Sequence, residues 1–305
     1  MSGIVIPVSV GLRGDVKMFM RNVVTGEVET REIRNTILNL YKNRLFNQTN
    51  IFSLGLLSSA SGYMRIGTSD QAASSSDTGI IGTQLASAKG TIAYSGTNPR
   101  LCTTTAVFPA GTGTGTIKEV VLAGYYSVSA RQVVSPALDK TAQHELTVVW
   151  TLSLSRSADS YSGTITGGQR DGITDIDWTL TINDNQIGNW AVIDNSYWTS
   201  GFTLRTGDSN AASNLVNDGY NTIKGTQLFS GGPAYREPQT YTSGSFYRDV
   251  RLGLDIDQSN GSIKELILQA GISRGLFRIT FDPGLDKVDT YRLYLTFRLA
   301  MVNAS

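Results

Sequence analysis

A single histidine, His144, and a single cysteine, Cys102, bound the chemistry open to this chain. A zinc site of imidazoles or thiolates needs several such ligands at set spacings, so neither kind can be assembled from one of each. A Ser-His-Asp triad would have to use His144, and no Gly-x-Ser-x-Gly turn accompanies it. His144 reads instead as a polar residue at the entrance of a strand. One cysteine excludes an intrachain disulfide framework, and Cys102 reads as a small buried or strand residue.

Three other stretches invite a chemical reading. Asp255-Ile-Asp257-Gln-Ser259-Asn-Gly261 resembles a calcium loop. Such a loop needs Gly at its sixth position and Glu at its twelfth, where this chain has Asn260 and Leu266. A β-turn with Asn-Gly at its tip is expected there. Gly111-Thr-Gly-Thr-Gly115 lacks the Gly-Lys-Ser/Thr ending of a phosphate loop. Among the 25 Asp and Glu residues no spacing singles out two for glycoside hydrolysis. The chain is therefore expected not to be an enzyme, with no catalytic, cofactor-binding or metal-binding residue and no cofactor.

Contact chemistry has better candidates. Asn189–Trp198 carries Trp190, Tyr197 and Trp198 among polar residues. Exposed, these rings suit sugar stacking or protein contact; buried, Trp190 and Trp198 fill a core. Tyr235 and Tyr241 lie in a second aromatic stretch with the same two readings. The apolar start Ile4-Val5-Ile6 continues to Val10 and could form an arm that adds to a neighbour's sheet.

The elements that must position these residues are mostly strands. His144–Ser155 alternates, with Leu146, Val148, Trp150, Leu152 and Leu154 on one face. Leu293, Leu295, Phe297, Leu299 and Met301 do the same within Tyr291–Met301. A period of two with one apolar face marks a half-buried antiparallel strand. Ile117–Leu122, Ile263–Leu268, Arg13–Val28 and Ile173–Ile182 read as further strands. Residues 32–46 break the pattern. Ile33, Ile37, Leu38, Tyr41, Leu45 and Phe46 fall on one helical face, with Thr30 as the N-cap. One short helix is expected there.

Many of these pieces occur twice. Gly115-Thr-Ile-Lys-Glu-Val-Val-Leu122 returns as Gly261-Ser-Ile-Lys-Glu-Leu-Ile-Leu268, and Pro136-Ala-Leu-Asp-Lys140 as Pro283-Gly-Leu-Asp-Lys287. Met64-Arg-Ile-Gly-Thr-Ser69 resembles Leu204-Arg-Thr-Gly-Asp-Ser209, and Gly82-Thr-Gln-Leu85 recurs at Gly225–Leu228. The matches are collinear and their offset drifts smoothly, which reads as an internal duplication. The expected fold is all-β: two tandem antiparallel β-sandwich modules of similar fold, 1–156 and 172–305, with a polar Gly-rich linker at 157–171. A reaction centre would hardly recur at such generic positions. One residue of each Lys-Glu pair is expected near the core rim with a partner, and each Asp-Lys pair in a turn before the long strand.

Composition narrows the partners. Lys plus Arg number 26 against 25 acids, so there is no electrostatic footprint for nucleic acid or an anionic membrane. No run approaches a transmembrane helix, and the first residues lack a secretory pattern, so synthesis in the cytoplasm is expected. Charged residues are 17% of the chain, below the roughly 25% of soluble proteins. Such a surface suits packing against copies of itself.

The order of these motifs resembles a known group. Asn35-Thr-Ile-Leu-Asn39, Arg65-Ile-Gly-Thr-Ser69, an Ala/Ser/Asp-rich loop at 71–78, Gly-Thr-Gln-Leu, Ile117–Gly124 and Leu138-Asp-Lys-Thr141 before a Leu-x-Val-x-Trp strand follow one another. This is similar to small β-sandwich structural proteins of tailed-bacteriophage virions, of the tail, baseplate and fibre-attachment type. The resemblance implies a virion component made in the host cytoplasm, tail- or neck-associated, assembling as a symmetric homo-oligomer beside other virion proteins. Two alternatives stand: a receptor- or carbohydrate-binding tail protein that meets a host-surface glycan, and a capsid decoration protein.

Overall fold

The computed structural model describes residues 4–34, 36–39, 42–43, 62–96, 99–123, 128–156, 160–166, 175–182, 202–209, 226–231, 235–238, 240–270, 274–290 and 292–303. Its strands are antiparallel wherever register is defined, and the chain is all-β. It divides into two compact units. The first holds 11–48, 52–155 and 301–305; the second holds 1–10, 49–51 and 156–300.

The first unit begins in β1 (Ile4–Asn22), whose residues from Gly11 onward belong to it. Then come β2 (Val28–Arg34), β3 (Thr36–Ile37), β4 (Tyr63–Gly67), β5 (Gln84–Lys89), β6 (Thr91–Ser95), β7 (Arg100–Phe108), β8 (Gly115–Ala123), β9 (Val128–Lys140) and β10 (His144–Arg156). One sheet runs β3-β9-β8-β4-β5; a second contains β2, β1, β10, β7 and β6 in that order. Val16, Met18 and Met20 of β1 and Leu146, Val148, Trp150 and Leu152 of β10 are buried at every second position. β8 is buried on both faces. Val121 and Ala123 pack with Leu38 and Val128, against Tyr63 and Ile80.

The second unit contains β11 (Ser160–Ile165), β12 (Ile176–Ile182), β13 (Phe202–Gly207), β14 (Gln227–Gly231), β15 (Tyr235–Pro238), β16 (Tyr247–Leu254), β17 (Gly261–Ala270), β18 (Arg274–Lys287) and β19 (Leu293–Asn303). One sheet runs β11-β12-β18-β17-β13-β14; the other contains β15, β16, β19 and β1 in that order.

The two units repeat one register. Gly115 faces Lys140 and Ile117 faces Leu138; after an irregularity Glu119 faces Val133. Gly261 faces Lys287 and Ile263 faces Leu285; after the same irregularity Glu265 faces Thr280. Gly67 pairs with Glu119 and Gln84, as Gly207 pairs with Glu265 and Gln227. Leu146 lies opposite Phe108, and Leu293 opposite Leu254. Gly115 and Gly261 sit at φ +133° and +130°, and a Cβ on either would meet the Leu85 or Leu228 side chain. Ser135-Pro136 and Asp282-Pro283 are both cis.

Four expectations differ from the structure. Residues 28–34 and 36–37 are strands, so Thr30 is no helix cap; among the described residues only Asn39, Lys42 and Asn43 are helical, and Tyr41, Leu45 and Phe46 lie outside the described residues. The cause is the hairpin with β1: Asn22 accepts from Val24 and Thr25 N–H, and Gly26 takes φ +80°, which sets Arg21 against Val28 and carries the pairing on to Asp15 and Arg34. Cross-strand pairing overrode a helical spacing. Second, 157–171 is not all linker, because Ser160–Ile165 forms β11 and pairs with β12. Third, Ile4–Val10 is not a free arm but the start of a strand hydrogen-bonded within its own chain to β19. Fourth, Asp139-Lys140 and Asp286-Lys287 end strands β9 and β18 instead of forming turns.

Candidate functional site

The chemically richest place in the first unit is a carboxylate in the middle of a sheet. β8 points Glu119 to the face covered by residues 68–83. Its Oε1 accepts from Ser69 N at 3.1 Å and Gly82 N at 2.8 Å; its Oε2 accepts from Ile81 N at 3.1 Å and Arg131 Nε at 2.9 Å. Glycines make the room. A Cβ at Gly67 would lie 2.7 Å from Oε1, and one at Gly82 would lie 2.6 Å from Ser69 N.

Arg131 reaches the same face from β9. Its three nitrogens go to Glu119, to Asp77 Oδ2 at 2.9 Å and to the Gln71 carbonyl at 3.0 Å. Asp77 Oδ2 also accepts from Ser74 N, so the acidic residue closes its own turn. Glu119 and Arg131 are both fully buried, which is tolerable for charges only when each polar atom is answered. Burial pushes the Glu119 carboxyl up, but the donors from Ile81, Arg131, Gly82 and Ser69 outweigh it and hold the group below the usual carboxylate range.

In the second unit Arg278 Nε donates to Glu265 Oε1, with both side chains buried. The placement is the same: Arg131 faces Val121, two residues past Glu119, and Arg278 faces Ile267, two past Glu265. A pair of lysines completes the recurrence. Lys140 Nζ donates to the Pro109 and His144 carbonyls at 2.9 and 2.5 Å. Lys287 Nζ donates to the Ile256 carbonyl at 3.3 Å and to Asn260 Oδ1 at 3.0 Å. Burial lowers the pKa of both, against the pull of Glu145 on Lys140 and of Asp255, Asp257 and Asp289 on Lys287.

These groups have the composition of a reaction centre and the wiring of a fastener. A general acid or base must reach a substrate proton. Glu119 presents no surface and spends both oxygens on the chain's own donors.

The residues singled out from the sequence fall elsewhere. His144 Nδ1 accepts from Thr141 N at 3.1 Å and closes a turn. Cys102 is buried in β7. Asp255–Gly261 is a turn in which Gln258 N–H reaches the Asp255 carbonyl and Arg292 pairs with Asp255. No group of three or more metal-ligating side chains occurs among the described residues. Tyr235 begins β15 opposite Gly253, and Tyr241 is half-buried ahead of β16. Ile4, Val5 and Ile6 begin β1. Trp190, Tyr197 and Trp198 lie outside the described residues.

Sequence reasoning expected a partner for one residue of each Lys-Glu pair but did not find Arg131, Arg278 or Asp77. A signal was there: Arg131 to Arg278 is the same step of 147 as Lys140 to Lys287.

The first unit also has an open concavity of about 640 Å³ on the outer face of β2, β1, β10 and β7. Its charges are partly spent on one another: Arg13 holds Asp15 through two nitrogens, and Lys17 holds Glu32 at 2.8 Å. No family model, curated protein or solved structure matches this chain. No helix among the described residues is long and apolar enough to cross a membrane.

Proposed function

We propose that this chain is a structural, self-assembling protein of a tailed-bacteriophage virion, tail- or neck-associated, built from two copies of one β-sandwich module and not an enzyme. The observation that carries this reading is the recurrence of Glu119/Arg131 and Lys140 as Glu265/Arg278 and Lys287 in one register. A module used twice with its ionic fasteners intact has been kept for its frame. Its repeated charges hold strands and loops, and Glu119 spends both oxygens on the chain's own donors. The order of sequence motifs that resembles virion β-sandwich proteins supports the same reading, as does a surface low in charge. The protein would be made in the host cytoplasm and act in the virion, with its own copies and other virion proteins as partners.

Light scattering on the purified full chain, coupled to size exclusion, tests this. One closed oligomer of fixed mass is expected, together with the chain's presence in purified particles. A monomer at every concentration, missing from particles, overturns the proposal.

A further inference from the structure

Among the described residues, two buried side-chain atoms meet no hydrogen-bonding group of the protein: Thr104 Oγ1 and Trp150 Nε1. They belong to one pair, because Thr104 of β7 lies directly opposite Trp150 of β10. The two residues are 1% and 0% exposed, so bulk solvent reaches neither. A buried indole N–H or hydroxyl ordinarily has a partner, since an unanswered one loses its hydration and receives nothing in return.

The second unit shows that the frame does not require this pair. Leu293 opposite Leu254 stands where the first unit has Leu146 opposite Phe108, and Leu295 opposite Leu252 where it has Val148 opposite Ala106. In the same register, Phe297 opposite Val250 stands where it has Trp150 opposite Thr104. The step is 147 from β10 to β19 and 146 from β7 to β16 at all three places. Phenylalanine lacks the indole N–H, and valine is threonine with a methyl in place of the hydroxyl. The two polar atoms therefore occur together, at one place, in one copy only.

The threonine cannot turn its hydroxyl elsewhere. A Cβ on Gly90 would lie 2.4 Å from Thr104 Cγ2, and one on Gly62 would lie 3.3 Å from it. The methyl fills the space those glycines leave, which fixes the rotamer and directs Oγ1 away from them. An acceptor stands beside the same side chain. The Gly62 carbonyl takes Gly90 N–H at 2.7 Å and has a second lone pair.

We propose that the first unit binds one internal water molecule between β7 and β10. It accepts the Trp150 indole N–H and the Thr104 O–H and donates to the Gly62 carbonyl. Three bonds of this kind are what holds a water inside a protein. The water joins two neighbouring strands through their side chains at a place where the second unit joins them through apolar residues alone. Two copies of one frame are thus filled by different means.

Thr104→Val tests this by the sign of its effect. It keeps the shape and gives the first unit the residue that the second has there. With the water bound, it removes one holder and strands the indole N–H, so the melting temperature of the full chain is expected to fall by about 2–4 °C. At a dry site it would remove an unanswered hydroxyl, and melting would rise. Trp150→Phe removes the other holder, so Thr104→Val made in that background is expected to bring no further fall. A crystal structure of the full chain that shows ordered waters should place one within hydrogen-bond distance of Trp150 Nε1 and Thr104 Oγ1, and none between Val250 and Phe297. If Thr104→Val fails to fold, that structure decides. A rise in melting with Thr104→Val, or Trp150 Nε1 and Thr104 Oγ1 with no water between them, overturns the site.

Discussion

Arg131 Nε meets Glu119 Oε2 at 2.9 Å with neither side chain touching solvent, and Arg278 Nε meets Glu265 Oε1, both buried, on the equivalent strands of the second unit. Burying an ion pair is costly, and well-packed apolar residues of similar volume often do as well. Removing one partner is another matter, because it strands the other charge.

Glu119→Ala is therefore expected to cost about 3–5 kcal/mol, and Arg131→Ala a similar amount. Glu265→Ala should behave alike in the second unit. Urea denaturation followed by fluorescence gives these values. As a contrast, Lys17→Ala removes an exposed pair and should cost under about 1 kcal/mol. A Glu119→Ala protein as stable as the unaltered chain would remove the buried fastener from the account of this fold.

Acid should find the same residue. The folded chain holds the Glu119 carboxyl below its ordinary value, so the unfolded chain binds more protons as pH falls. Its contribution is complete above the ordinary carboxylate pKa and is lost as pH drops through the depressed folded value. Melting temperature against pH should fall in that acid window, and Glu119→Gln should flatten the fall while lowering stability at neutral pH.

Lys140 and Lys287 predict the opposite flank. Burial lowers both pKa values, so between the folded and unfolded values the unfolded chain binds more protons, and their contribution becomes more favourable as pH rises there. Lys140→Met should abolish its share of that alkaline trend. It also leaves the Pro109 and His144 carbonyls without their donor, at a cost of about 1–3 kcal/mol near neutrality. Calorimetric scans at several alkaline pH values read both effects.

Two glycines test the cage by volume. Gly82→Ala brings a methyl to 2.6 Å from the Ser69 backbone nitrogen, and Gly67→Ala to 2.7 Å from Glu119 Oε1. Each should destabilise by about 1–3 kcal/mol through overpacking. Gly111→Ala meets nothing within 4 Å and pays only for its φ of +80°, about 1 kcal/mol. Thermal melts of the three rank them.

The strands were readable where one face is apolar at every second residue, as in β10 with Leu146, Val148, Trp150 and Leu152. The repeated Gly-x-Ile-Lys-Glu pointed to β8 and β17, and its Lys-Glu pairs hinted that one member is inside. Arg131 was not readable as the partner, since a lone arginine in a strand looks solvated until the cover over that face is known. The end of β2 and all of β3 read as helix in the sequence because Ile33, Ile37 and Leu38 also fit a helical stripe. What decides against it is β1 alongside β2 and β9 alongside β3, long-range partners that no local window contains.

The segment from Thr68 to Thr83 is stitched to the sheet at Ser69, Gln71, Asp77, Ile81 and Gly82 by two buried side chains, while Ala72, Ser76 and Thr78 between those stitches face solvent. Its shape is dictated from below. A foreign peptide grafted at Ala72 would be displayed on a fixed mount, held by a carboxylate and a guanidinium that the graft never touches.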